Sequence, residues 1–160
     1  EFENKKHELE KVLPDLKEFY RKTESTSKAV IYRGVRGLRN IIFEELDTLS
    51  SKDEFISMGI KMRATHINAI WSQFEMERVK RKIPSRYITG DEETLDFREI
   101  KQKRFTDAKL LPVGGRVPIS ITKNGIIIYN YEDLMWVKID DEGVASSFKE
   151  FFEYLWKIAE

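Results

Sequence analysis

The spacing of apolar positions divides the chain into a helical lead-in, a stretch that alternates strand and helix, and a run of short strands closed by a last helix. In the lead-in, Phe2, Leu9 and Leu16 recur every seven residues. Leu13 and Tyr20 follow four places after the last two, and Val12 and Phe19 reinforce the stripe. Such an a/d seam predicts a helix over 3–21 that can pair with a second helix. Packing against its own domain is the alternative for the same stripe. Pro14 removes a backbone donor inside it, so the segment is kinked or forms two short helices. Residues 1–26 are thus expected to be a helical linker suited to a dimerisation coiled coil, and 27–160 one domain.

Within that domain the period alternates. Ala29–Tyr32 reads as a strand, Gly34–Gly37 as a turn, and Leu38, Ile41, Ile42, Leu46 and Leu49 as one face of a helix. Phe55–Gly59 reads as a second strand. Ile67, Ile70, Trp71 and Phe74 mark the inward face of a second helix, which ends in Arg78, Lys80, Arg81 and Lys82 before Pro84. Ser85–Thr89 reads as a third strand, and Asp91 as the cap of a shorter helix. This order predicts parallel strands with crossover helices. After Arg104 the spacing predicts four strands joined by short turns, over 109–113, 117–122, 126–131 and 134–139. Asn124-Gly125 is the strongest hairpin signal. Continuous Ile126-Ile127-Ile128 implies a strand covered on both sides. Phe148, Phe151, Phe152, Leu155 and Trp156 stand at i, i+3, i+4, i+7 and i+8, the core stripe of a last helix. The expected fold class is α/β: a mixed sheet, parallel β-α-β units followed by antiparallel hairpins, with helices on both faces.

Composition narrows the function. Twenty-eight basic residues balance 28 acidic ones, so no overall basic excess favours a phosphate backbone. Cysteine is absent, which excludes disulfides, thiolate metal sites and thiol nucleophiles and suits a cytoplasmic location. No apolar run reaches the roughly 18 residues that span a bilayer, so no membrane association is expected. The first residue is Glu1 rather than Met, so a fragment of a longer protein is expected.

Candidate chemistry is sparse. His7 sits among Lys5, Lys6 and Glu8 on a solvated face, and no second histidine or carboxylate cluster accompanies His66, so neither a metal site nor a bound cofactor is expected. His66 follows the expected C-terminal end of a strand, the edge where open α/β sheets bind ligands. Gly34-Val35-Arg36-Gly37 joins a strand to a helix, with Arg33, Arg36 and Arg39 adding charge. It can receive an anion on backbone N–H groups or serve only as a tight turn. Gly114-Gly115-Arg116 offers the same two readings. A ligand pocket is therefore expected around Arg33, Gly34, Arg36, Gly37, Met58, Gly59, His66, Thr89 and Gly90. The basic run from Arg78 to Lys82, with Arg86, is either a nucleic-acid contact or a solvated helix end. The pairs Glu92-Glu93 and Asp140-Asp141 lack the arrangement that acid/base catalysis needs.

Several stretches together resemble the TrmB family of archaeal transcriptional regulators. They are the lead-in helix, Tyr32-Arg33-Gly34-Val35-Arg36-Gly37-Leu38-Arg39, Asp53-Glu54-Phe55-Ile56-Ser57-Met58-Gly59, Pro118-Ile119-Ser120-Ile121-Thr122 and the ending Phe148 to Trp156. The resemblance implies a phospholipase D-like effector domain behind a coiled-coil linker, a homodimer paired through Leu9, Val12, Leu13, Leu16, Phe19 and Tyr20, and a small-molecule effector such as a sugar or metabolite. It implies DNA contact only through a winged-helix domain absent from this chain. Active enzymes of that fold carry a His-x-Lys-x4-Asp run ahead of a hairpin, and aligning Asn124-Gly125 with that turn puts Val117, Ile119 and Asn124 at the three positions. The expectation is a protein that is not an enzyme. A purely structural association domain and a direct nucleic-acid-binding module are the alternatives.

Overall fold

The computed structural model describes residues 28–60, 65–90, 100–112 and 117–160. The lead-in seam, the helix expected from Asp91, the pair Glu92-Glu93 and the Gly114-Gly115 turn lie outside the described residues. The elements are β1 (Lys28–Arg33), α1 (Gly34–Thr48), β2 (Phe55–Ile60), α2 (Thr65–Lys80), β3 (Ser85–Thr89), β4 (Thr106–Leu110), β5 (Ile119–Ile121), β6 (Gly125–Asn130), β7 (Met135–Asp140) and α3 (Glu142–Ile158). The strands form one sheet in the order β1-β7-β6-β5-β2-β3-β4. β2, β3 and β4 pair in parallel, and the remaining neighbours pair antiparallel.

Two expectations about pairing are corrected. The strand expected over 109–113 is Thr106–Leu110, and it lies beside β3 at the sheet edge, parallel to it, rather than in a hairpin with β5. Its starting turn is held by Arg78, which no apolar pattern signals. β1 does not neighbour β2 either. The three antiparallel strands insert between them, so β1 closes the far edge against β7. The turn expected over Gly34–Gly37 is the first turn of α1 itself.

Alternation assigns each face. Phe55, Tyr87, Ile127, Tyr129 and Trp136 pack with Leu38, Ile41, Ile42 and Leu46 of α1 and with Ile67, Trp71 and Phe74 of α2. On the other face Ile56, Ile88, Ile121 and Ile126 pack under Phe152 of α3. Ile126 and Ile127 therefore reach opposite cores, as a run of consecutive apolar residues in a doubly covered strand requires. The α3 stripe is corrected at one position, because Phe151 is exposed while Phe152 is fully buried. The 100° step per residue carries Phe151 away from a buried face centred on Phe152. Asp141 caps α3 by accepting from Val144 N–H at 2.8 Å, which gives the second residue of the Asp140-Asp141 pair a structural role.

Candidate functional site

The C-terminal ends of β2 and β3 are the edge expected to bind a ligand. Near the end of β2, Met58 pairs with Ile88 and Ile60 with Thr89 of β3, Gly59 is the unpaired residue of the bulge between them, and Gly90 follows β3. Gly59 adopts φ +78°, and a Cβ there would stand 3.5 Å from Pro118 Cα and 3.6 Å from the Val117 carbonyl. That left-handed turn lets the chain leave β2 close against the start of β5. Behind the edge, Ser120 Oγ donates to Ser57 Oγ at 3.2 Å and Ser57 Oγ donates to the Ile119 carbonyl at 3.2 Å, so β2 and β5 are also joined by side chains. The Thr89 hydroxyl is fully buried and has no hydrogen-bond partner among the described residues. His66 lies in the first turn of α2 on the same edge. Segments 61–64, 91–99 and 113–116, which flank this edge in the chain, lie outside the described residues.

The sheet order keeps the other expected residues away. Arg33, Gly34, Arg36 and Gly37 belong to the end of β1 and the start of α1, with β7, β6 and β5 standing between them and β2. Four strand spacings of about 4.8 Å separate the two sets. The glycines here serve packing. Gly34 donates its N–H to the Leu134 carbonyl at 2.8 Å, and its own carbonyl accepts from Trp136 Nε1 at 2.8 Å. At Gly37 a Cβ would meet Tyr32 Cβ at 3.1 Å and Trp136 Cδ1 at 3.3 Å. Arg33 and Arg36 are exposed beside this turn.

The basic run is largely consumed by the fold. Arg78 is fully buried and donates to Glu75 at 2.7 Å, to Thr106 Oγ1 at 2.6 Å, and to the carbonyls of Ile83 and Phe105 at 2.6 and 3.1 Å. Arg81 joins Glu77 and Asp47. Arg86 makes paired bonds to Glu54 and Glu153 and lies over Phe152 and Trp156. Both carboxylates hold the Arg86 guanidinium charged more firmly, and Arg86 in turn holds Glu153 below the usual carboxylate range. Lys80 and Lys82 are left facing outward.

A groove lies at the opposite end of the sheet. It measures about 700 Å³ and lies between the α1–β2 connection, the β5–β6 hairpin and the first turns of α3, with Lys52, Asp53, Lys123, Glu142 and Lys149 on its walls. Asp53 accepts from Ser50 and stands 3.6 Å from Lys123, contacts that hold its carboxyl below its ordinary value. Its walls come from three separated segments, so no local pattern marks it. Among the described residues no group of three His, Cys, Asp or Glu is arranged to hold a metal ion. No helix among them is long and apolar enough to cross a membrane.

No protein-family model matches this sequence, and no curated protein matches it either. Solved structures do. TrmBL2, an archaeal chromatin protein whose structure shows a novel mode of DNA binding, superimposes with a TM-score of 0.61 at 17% identity, over 99% of this chain and 62% of its own. The chain thus spans less than two thirds of TrmBL2. NucT from Helicobacter pylori gives 0.62 at 11% identity, over 83% of this chain and 98% of that one. Nuc from Salmonella typhimurium, a phospholipase D family member, gives 0.57 at 14% identity, over 84% and 97%. At these identities the likeness establishes the fold, which is phospholipase D-like and of the kind also found in TrmBL2. The positions that the resemblance assigns to the phospholipase D motif fall two residues before β5 (Val117, exposed), at its first residue (Ile119) and in the β5–β6 turn (Asn124).

Proposed function

We propose that this domain is the regulatory half of a TrmB-like transcriptional regulator, which associates with a second copy, senses a small effector and catalyses nothing itself. The feature that carries the reading is the pair of apolar residues entering β5, Val117 just before it and Ile119 at its start. With Asn124-Gly125 aligned to the family's hairpin turn, as the resemblance implies, Val117 and Ile119 take the places of the nucleophilic His and the phosphate-binding Lys of a phospholipase D-like enzyme, and neither side chain can attack or hold a phosphate. A scaffold without its reacting groups retains shape, and shape alone does not assign chemistry. The likeness to a DNA-binding chromatin protein over nearly the whole chain supports a role beside DNA. Contact with DNA itself would belong to a winged-helix domain of the kind the family resemblance implies. The setting would be the cytoplasm.

The effector, a sugar or related metabolite, is placed at the edge formed by Met58, Gly59, Thr89 and Gly90, with His66 at the start of α2. It acts by binding two arrangements of the dimer unequally, which is the only way a ligand shifts such an equilibrium. Thermal melting against sugars, sugar phosphates and nucleotides tests this, since a ligand at 100 times its Kd adds about 2.7 kcal/mol of stability. Met58→Glu should abolish the shift. Uniform lack of stabilisation near saturation would sink the effector role and leave structural association. Hydrolysis of bis-p-nitrophenyl phosphate above the rate of a Val117→Ala, Asn124→Ala variant would sink the non-catalytic reading.

A further inference from the structure

The outer side of α3 carries a second apolar stripe that the fold does not use. Phe152 faces the sheet fully buried, with Phe148, Leu155 and Trp156 packed beside it. Phe151, Tyr154 and Ile158 are instead 62%, 66% and 53% exposed. With Ser147 they stand at i, i+4, i+7 and i+11, the a/d spacing of a helix seam. Glu150 and Lys157 each precede a stripe residue and lie seven residues apart, so they share one flank of that seam. Both are exposed, and neither forms an ion pair among the described residues. The same side of the sheet is open at its edge. Ile31 pairs with Val137, which pairs with Ile128 of the α3-side core, yet Ile31 is 57% exposed.

We infer that α3 pairs with α3 of a second copy of this chain, antiparallel, about a two-fold axis beside Tyr154. The charge pattern selects this occupant. In an antiparallel pair centred on Tyr154, Phe151 of each copy meets Ile158 of the other, and Glu150 of each copy meets Lys157 of the other. The patch is thereby complementary to itself, which an isologous interface requires. In a parallel pair each charged flank faces the opposite flank of the partner helix, where Phe148 and Leu155 stand, and neither charge gains a partner. Exposed apolar surface with a matched polar border is the usual mark of such a contact. The inference rests on the reading of this domain as an association module, and it adds a surface separate from the lead-in seam.

Light scattering and sedimentation of the full chain over a range of concentrations test it. Glu150→Lys and Lys157→Glu each convert two attractive contacts into two repulsive ones, and each should weaken the association on the order of tenfold. The double exchange should restore it, and mixing the two single variants should yield a mixed assembly. All six residues of the stripe and its border are exposed, so melting temperatures serve as a control for folding. A photo-crosslinker at position 154 should join two chains through their α3 helices. Unchanged masses for the single variants, no restoration in the double exchange, or crosslinks to residues 1–26 would overturn the inference. Leu9→Asp with Leu16→Asp separates the two association surfaces. If that variant alone lowers the mass, α3 pairing fails while the association reading stands. If neither set does, both fail.

Discussion

Lys82 holds the position just past the end of α2 with φ +57°, where Lys82 N–H bonds to the Val79 carbonyl and Ile83 N–H to the Arg78 carbonyl. These two bonds close the helix as a Schellman motif, whose left-handed residue is most often glycine. Lys82→Gly should therefore raise stability by about 0.5–1 kcal/mol, read as a higher urea midpoint at constant slope. An unchanged midpoint would mean that the Lys82 stem contributes packing of equal size. Gly125 is the opposite case, since a Cβ there would sit 1.7 Å from the Ile139 carbonyl oxygen. Gly125→Ala should force β6 and β7 apart and cost more than about 3 kcal/mol, the upper range of ordinary single substitutions. Arg78→Met should cost about 3–5 kcal/mol, because Glu75 and two carbonyls lose their buried cation together. Arg78 was not legible as a core residue in the sequence. It stands in a run of cations that suits a solvated helix end, and only the distant Phe105 and Thr106 show what it holds.

Elements differ in how much of them the chain spells out. α1 and α2 were readable because their apolar positions keep the 3.6-residue period on one face, and α2 buries the four residues expected of it. The β5–β6 hairpin was readable because Asn124-Gly125 fixes the turn locally. β4 was not. Thr106–Leu110 contains one buried apolar residue, Ala108, and its place is set by pairing with β3 and by the contact of Leu110 with Glu160 at the chain end. The insertion of β5, β6 and β7 between β1 and β2 was equally silent, since strand order is a long-range property. It is also why the ligand edge expected from sequence splits into two distant sets. Arg86 joins three elements, bridging β3 to the α1–β2 connection and to α3 while stacking on two aromatic rings. Arg86→Lys keeps the charge but loses both paired geometries and most of the stacking. It should cost about 1–3 kcal/mol in chemical unfolding, the range of charge-assisted hydrogen bonds. A loss no larger than that of an exposed Lys149→Ala would show that the clamp adds nothing.

At the scale of the molecule, two cores share one sheet, and the titrating groups that bind them set how stability follows pH. Glu153, Glu77 and Asp53 are held below their ordinary values by Arg86, Arg81 and Ser50 respectively. A lowered carboxyl contributes stability above its unfolded value, and that contribution is lost as pH falls through the folded value. The protein should weaken on acidification below about pH 4.5, the usual range for these groups. Glu45 acts in the other sense. Burial pushes its carboxyl up despite Lys138 at 3.5 Å, so its contribution is present below the unfolded value and fades as pH rises through the raised one. The two ranges adjoin at the ordinary carboxyl value, so Glu45→Gln should remove a loss of stability as pH rises above about 4.5 and leave the acid limb below it in place. Two phenols contribute on the alkaline side: that of Tyr87 is raised by burial and by Glu75, and that of Tyr32 is pushed up to about 12 by its 2.8 Å bond to Glu44 and by burial. A raised phenol stabilises below pH 10, and that contribution disappears as pH rises toward 12. Tyr32→Phe should flatten the urea midpoint over that interval and leave the acid limb untouched. Because Tyr32 lies on β1, the strand the sheet receives at its far edge, a flattened alkaline limb would show that this edge unfolds with the rest of the molecule. An alkaline limb unchanged by the variant would show that β1 detaches before the cores are lost.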